Sequence, residues 1–370
     1  MKEITVVIPA FRAHKTIKKT LASIAVQTIS DKVEVIISCD DVEDDYTSII
    51  TQFPELEITQ VKCKKNGGPG LSRQRGLEKA NTHWVTFIDA DDVFSTPFAL
   101  ETLRNNIIQN CVEVQGVFAQ ACPIPNQATR FVLHNEPTHP WVFGRLYNVD
   151  FLRQNKIAFS ELRAMEDGEF NWKIRLIIEG TPLKINCIND VVYYWMPGSE
   201  HSITRTGEKD GIPQYNFDLC QIGATIAGKQ ATEFAKKINP FNGSINKFIV
   251  EQMIGHYFTY IECLGRRPEF AEQNLWLGKY FYRKCYKPIE DGISDDIIKQ
   301  MYTQMNAAKA STLVGIIPQI SFFEWFEKVK KEKWSVEEIK DIRSKLSKEI
   351  IDNDIKTGVI DADCSIFQII

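Results

Sequence analysis

Two periodicities divide the chain. In its first half, short continuous apolar runs alternate with segments whose apolar residues recur every three to four positions. Ile4-Thr5-Val6-Val7-Ile8 is a β-branched run of the kind that forms a strand buried on both faces, with Pro9 expected to stop it. Over residues 15–26, Ile17, Leu21, Ile24 and Ala25 fall at helical spacing and predict an amphipathic helix. Val33-Glu34-Val35-Ile36-Ile37-Ser38 predicts a second strand, residues 43–50 a helix start, residues 58–61 a third strand, and Trp84-Val85-Thr86-Phe87-Ile88 another buried one. Strand, helix and strand at these intervals imply right-handed crossovers and a largely parallel sheet, an α/β arrangement. A further helix is predicted from Pro97 to about Ile108.

The pattern then changes. Residues 206–214 are polar and hold Gly207, Gly211 and Pro213, a natural boundary. Beyond it, residues 222–237, 246–264, 272–285, 295–310, 321–333 and 336–351 all carry helical periodicity. We therefore expect two domains, 1–210 and 211–370, the second mostly α-helical. A chain of 370 residues has room for both cores.

The chemistry concentrates after the fourth strand. Asp89, Asp91 and Asp92 place three carboxylates in four positions at the carboxyl end of a buried strand, where open α/β sheets bind ligands. Unpaired, such a cluster is driven toward protonation by repulsion and desolvation. A divalent cation bridging the acids to a phosphate answers that problem. A solvated turn with Asp92 capping the next helix answers it equally well, and the acids alone leave both open. Upstream, Asn66-Gly67-Gly68-Pro69-Gly70-Leu71-Ser72-Arg73-Gln74-Arg75-Gly76 is a Gly-rich turn opening a helix. It lacks the Gly-Lys-Ser/Thr of a P-loop and has Arg73 where a dinucleotide fingerprint needs its third Gly. On its own it fits an anion or base site, or a plain turn followed by a solvated basic helix face.

Taken together these motifs closely resemble the family 2 glycosyltransferases of GT-A fold, a Rossmann-like mixed sheet that binds nucleotide sugars. The shared features are a first strand ending in Pro9-Ala10-Phe11, a helix ending near Gln27-Thr28, a second strand ending in acids, the loop at 66–76 with Arg73 in place, and Asp-Ala-Asp-Asp at 89–92. The resemblance covers roughly the first 205 residues. It implies that Pro9, Ala10 and Phe11 wall the base and ribose and that Asp40 accepts from a uracil-type imide. Arg73 would lie on the base or diphosphate side, Asp89 on the ribose, and Asp91 on a Mn2+ or Mg2+ ion at the diphosphate. Asp40-Asp41-Val42-Glu43 departs from the family's Asp-Asp-Gly-Ser, so either Asp40 or Asp41 is the one that faces the nucleotide.

Met165-Glu166-Asp167-Gly168-Glu169-Phe170 matches the family's Glu-Asp pair at the start of the acceptor-facing helix. The resemblance makes Asp167 the general base of a single inverting displacement and gives Glu166 the orientation of acceptor hydroxyls. A typical Asp pKa of about 3.9 is low for a base unless burial raises it. Without the resemblance, the pair reads as acids complementing a helix dipole. Trp141 to Tyr147 resembles the segment before that helix, a source of acceptor contacts or simply a core strand. His201, in the loop after Val191-Val192-Tyr193-Tyr194-Trp195, is expected by family position to complete the metal shell or touch the leaving diphosphate.

Composition narrows the partners. The formal charge of -4 excludes a global polyanion binder, and no apolar run approaches a membrane span. The run at 4–10 is too short and too interrupted for a signal peptide, and nine scattered Cys without a CxxC pair suit a reducing compartment. A cytoplasmic protein is expected. The leading expectation is a metal-dependent inverting transfer from a UDP-sugar to a surface glycan or wall polymer. Residues 257–288 interleave Arg266, Arg267, Lys279, Arg283, Lys284 and Lys287 with Phe270, Trp276, Tyr280, Phe281, Tyr282 and Tyr286. That stretch suits DNA, so transfer to hydroxylated DNA bases is the alternative; an amphipathic helix with its rings in the core explains it too. A catalytically silent nucleotide-sugar-binding module is a third reading and a nucleotidyltransferase a fourth, the last weakened by the Glu166-Asp167 motif. The helical half is assigned to acceptor recognition or homo-oligomerisation.

Overall fold

The computed structural model describes residues 2–123, 128–136, 139–196, 205–209, 212–215, 217–239, 243–309, 318 and 320–330, within two compact units, Met1–Arg205 and Thr206–Ile370. In the first unit β1 (Ile4–Ala10) is flanked by β2 (Val33–Cys39), with β3 (Glu57–Lys62) beyond it, and by β4 (Trp84–Phe87), all parallel. The connections are α1 (Ile17–Ala25), α2 (Thr47–Ile50) and α3 (Gly68–Lys79). There follow β5 (Val93–Phe94), α4 (Ala99–Asn105), β6 (Cys111–Cys122), β7 (Arg130–His134), β8 (Arg145–Asn148), α5 (Val149–Gln154), α6 (Glu166–Ile178) and β9 (Lys184–Trp195). The sheet runs β3-β2-β1-β4-β8-β6-β9-β5 with β7 hydrogen-bonded to β6, and β8 enters antiparallel to β4. The expected α/β sheet is therefore parallel over its first half and mixed over its second.

Pro9 does not stop β1. The strand continues to Ala10 because Ala10 still accepts from Asp40 N–H on the β2 side, whereas pairing with β4 has already ended at Val7. Strand alternation turns residue 9 toward the β4 side, where no donor is needed. The helix expected over 43–50 shrinks to one turn at Thr47–Ile50. Local side-chain acceptors take the preceding N–H groups: Asp41 from Glu43, Asp45 from Thr47 and Gln60 from Tyr46. The helix after Pro97 starts at Ala99 and ends at Asn105, short of Ile108.

The core explains how distant motifs meet. Ile4, Val6, Val7, Ile8 and Phe87 are fully buried. Phe87, at the end of β4, packs edge-on against Phe159 and Phe170, which stack on each other at 4.1 Å. Phe170 lies on α6, so one aromatic contact holds the start of that helix beside the end of β4. On the same face of the sheet, beside Phe87, Gly76 of α3 sits against Val7, where a Cβ would come within 2.3 Å of a Val7 methyl. A side chain there would push α3 off the sheet.

The second unit opens with the strand pair β10 (Arg205–Lys209), whose first residue is the last of the first unit, and β11 (Ile212–Tyr215), lying where a polar boundary was expected. Then come α7 (Phe217–Ile238), α8 (Gly243–Arg266), α9 (Ala271–Phe281), α10 (Asp295–Lys309) and α11 (Phe322–Lys330). These answer five of the six predicted helices; the sixth, at 336–351, lies outside the described residues. A turn of π-helix at Tyr282–Tyr286 prolongs α9. Trp276, Tyr280, Phe281, Tyr282 and Tyr286 are all 5% exposed or less, and Arg266 lies on the surface near Glu262. The basic-aromatic stretch is thus an amphipathic face with its rings in the core, and those five rings are not available for stacking nucleobases. Among the described residues no helix is long and apolar enough to cross a membrane.

Candidate active site

The carboxyl ends of β1, β2 and β4 converge with the N-termini of α3 and α6. At the end of β2, Asp40 is buried and accepts from Gly67 N–H, from Gly68 N–H at 2.7 Å and from Arg75 at 2.7 Å, while Asn66 donates to its backbone oxygen. The expected base acceptor is thus occupied as the anchor of the Gly-rich turn, and Arg75, for which a solvated face was one of two readings, points inward to Asp40. Asp41 instead takes the Nε–H of Arg12 at 2.8 Å, which holds its carboxyl below the usual range. Arg12 adopts φ 51°, in the left-handed region, and its guanidinium lies 4.9 Å from the centroid of Phe11. Pro9 is half-buried, Ala10 buried and Phe11 exposed at the strand end.

Arg73 is the centre of the arrangement. It is 3% exposed, donates to Asp89 at 2.7 Å and to Glu166 at 2.5 Å, and so joins the acids after β4 to those that open α6. Gly70, one turn earlier on α3, makes the approach possible. A Cβ there would meet the Ser160 carbonyl at 2.6 Å and Glu166 Cγ at 3.0 Å. Met165, immediately before Glu166, has φ 67°. Left-handed backbone on a residue other than Gly, of the sort that clusters at functional sites, here lets the chain enter α6 with both acids turned inward.

Glu166 and Asp167 are buried. Burial, and after it the charge of Asp167, push the Glu166 carboxyl up, with Arg73 opposing. Burial pushes Asp167 up to about 6, against the pull of Arg73 and of the Gly168 N–H, which donates to Asp167 Oδ1 at 2.8 Å. A carboxylate of this kind is far closer to proton-transfer range at neutral pH than an exposed Asp.

Asp92 caps no helix; the residue before α4 is Phe98. Its buried carboxylate accepts from Tyr193 Oη at 2.6 Å and from Met196 N–H at 2.7 Å. Burial, then the charges of Asp89 and Asp91, push it up. Tyr193 Oη also accepts from Asp89 N–H at 3.2 Å, so one phenol serves both ends of the acid turn. Asp91 is half-buried on the same turn. His201 lies outside the described residues. Among the described residues no three His, Cys, Asp or Glu side chains converge as a metal cage. Arg12, Arg75 and Tyr193 were not assigned to the site from sequence. Arg75 was visible on the helix after the Gly-rich turn, whereas nothing local marks Arg12 or Tyr193.

A half-parallel, half-mixed sheet with acids at the end of β4 linked through Arg73 to an acid pair opening a helix defines a nucleotide-sugar transferase fold of GT-A type. Residues 5–160 match the family model for glycosyl transferase family 2. That match covers most of the first unit. The chain is 25% identical over 218 residues to the poly(ribitol-phosphate) beta-N-acetylglucosaminyltransferase TarS of Staphylococcus aureus, a match covering 53% of this chain and 35% of TarS. It is 24% identical over 340 residues to TarP of the same species, covering 86% of this chain and 98% of TarP. The structure of TarS residues 1–349 with UDP superposes with a TM-score of 0.55 at 16% identity, covering 83% of this chain and 92% of that one. The chain thus matches about a third of TarS and nearly all of TarP.

Proposed function

We propose that the protein is an inverting glycosyltransferase that moves a sugar from a UDP-sugar to a hydroxyl of a surface glycan or wall polymer. The observation that carries this is the Arg73 bridge, which places the donor-side Asp89 and the acceptor-side Glu166 on one guanidinium. Asp167, with its raised pKa, takes the proton of the acceptor hydroxyl as that oxygen attacks the anomeric carbon. The bond to the diphosphate breaks on the opposite face, one displacement inverts the configuration, and the proton ends on Asp167. Glu166, held by Arg73, orients the acceptor. Pro9, Ala10 and Phe11 wall the nucleotide, with Asp40 acting through the Gly67–Gly68 turn that it anchors.

A Mn2+ or Mg2+ ion fits this site. Such ions bind through one or two carboxylates plus substrate phosphates and need no protein cage. Asp91 supplies hard oxygen at the strand end, and His201 is the further candidate. Bound there, the ion would offset charge on the leaving diphosphate. The likeness to proteins named for transfer to poly(ribitol phosphate) supports a UDP-hexose donor and a wall-polymer acceptor. The helical unit is assigned to acceptor recognition or self-association, and the burial of its rings removes the observation that favoured DNA.

Thermal unfolding against UDP, GDP, ADP and their sugars, with and without Mn2+, tests the reading. A ligand that binds only the folded state at a hundredfold excess over Kd stabilises by roughly 2.7 kcal/mol. The expected result is a shift with UDP compounds, lost in Asp91→Ala. A shift with no nucleotide overturns the assignment.

A further inference from the structure

Beside the acid pair lies an aromatic cluster that the catalytic roles leave unused. Phe118, Phe143 and Tyr193 are buried, but Trp141 and Trp195 are only half-buried, with centroids 6.1 Å apart and planes at 43°. Their position follows from their neighbours. Trp195 directly precedes Met196, whose N–H is clamped to Asp92. Trp141 directly follows Pro140, which packs on Gly168 beside Asp167, where a Cβ would come within 3.3 Å of Pro140 Cβ. The indoles touch each other, and their chain neighbours touch the acid turn on one side and the helix of the base on the other.

The segment carrying Trp141 is tied to its neighbours through its backbone carbonyls. Asn171 of α6 donates to the carbonyls of Pro140 and Trp141 at 2.6 and 3.1 Å. Arg145, 2% exposed and ion-paired with Glu113, donates to the His139 carbonyl at 2.7 Å. A buried ion pair is weak evidence for stability, and its best-attested use is to fix register. Here it fixes the residues leading to Trp141. Burial, and after it the charge of Arg145, push His139 down to about 2, so the imidazole beside Trp141 is neutral. A half-buried indole pair, pre-positioned by a buried polar network and framed by uncharged rings, presents electron-rich faces. Such faces match the electropositive C–H face of a pyranose ring better than an open-chain polyol phosphate.

We propose that Trp141 and Trp195 form an acceptor subsite that stacks on a pyranose ring, so that the acceptor presents a cyclic sugar next to the attacked hydroxyl. This rests on the transferase reading above and adds the class of acceptor. Trp141 and Trp195 select the acceptor, and the Arg145–Glu113 pair positions Trp141.

Saturation-transfer NMR on the full chain tests it, with methyl glucopyranoside, methyl N-acetylglucosaminide and ribitol 5-phosphate as probes. The expected result is saturation of pyranoside ring protons that persists when UDP-sugar is bound. It should fall at least about fivefold in Trp141→Ala and in Trp195→Ala, and recover in the Trp→Phe variants, which also serve if an alanine variant fails to fold. Saturation of ribitol phosphate alone, no pyranoside signal, or a signal unchanged in the variants overturns the subsite. Loss of the signal on adding UDP-sugar assigns the indoles to the donor sugar and overturns it too. A UDP-induced thermal shift in the same samples separates the two claims. If the shift is present and the pyranoside signal absent, only the subsite fails; if UDP gives no shift, the transferase reading fails.

Discussion

Arg73 Nη1 lies 2.5 Å from Glu166 Oε1, although 93 positions separate the two residues in the chain. The same guanidinium reaches Asp89, so a single side chain holds α3, the end of β4 and the start of α6 in register. Removing one partner of a buried ion pair leaves the others uncompensated, at a cost of about 3–5 kcal/mol. Arg73→Met should lower the unfolding free energy by about that amount and abolish turnover. Arg73→Lys reaches only one acid at a time and should keep much of the stability but little of the activity. Denaturant melts and initial rates on both variants check this.

Asp167 makes a prediction with a sign. A carboxyl raised to about 6 in the folded state favours folding while protonated. That contribution is full below the unfolded value of about 3.9 and lost as pH rises through 6. Asp167→Asn should therefore be more stable than the parent by roughly 3 kcal/mol at pH 7.5, with the difference fading toward pH 4. The parent's kcat/KM should fall below a pH near 6 as the base becomes protonated. Urea melts at several pH values and a pH–rate profile measure the two effects separately.

Gly70→Ala drives a methyl into the Ser160 carbonyl, which is backbone and yields little. Overpacking of this kind costs about 1–3 kcal/mol. Because Glu166 Cγ is the next contact, the change should also displace Glu166 and lower kcat by more than the melt implies. Ser72→Ala on the same helix, which only loses a hydroxyl donating to the Ser38 carbonyl, provides the comparison.

Tyr193→Phe keeps the ring in the core but removes the hydroxyl that serves both Asp89 N–H and Asp92. Leaving buried polar groups unpaired costs about 1–3 kcal/mol. With the acid turn loosened, KM for the UDP-sugar should rise several-fold while UDP alone still binds. Calorimetry with UDP and rates across donor concentration distinguish this from simple unfolding.

Much of this was legible in the sequence. The β-branched runs placed β1, β2 and β4 because buried central strands are continuous apolar segments, whereas β3 is a more exposed edge strand, and the acids following β2 and β4 marked the candidate site. The mixed second half of the sheet was not legible. β6, β7 and β8 pair antiparallel across irregular connections that no local period announces. Arg73 was assigned to the donor, but its span to Glu166 depends on Gly70 allowing α3 to close on residue 160, a tertiary fact. In sequence Asp40 reads as a nucleotide contact and Asp92 as a member of the acid cluster or a cap for the next helix. Folding turns both inward, where they accept from backbone N–H groups of the 66–68 turn and of Met196.

The most direct test of the central claim is the anomeric configuration of the product formed from an α-linked UDP-hexose. Proton NMR of the transferred sugar, on wall polymer or a pyranoside acceptor, would compare the parent with Asp167→Asn. The account predicts a β-linked product from the parent and a rate reduced by about 10²–10⁴ in the variant, the usual worth of a positioned base. An α-linked product, or a variant that turns over like the parent, would contradict it.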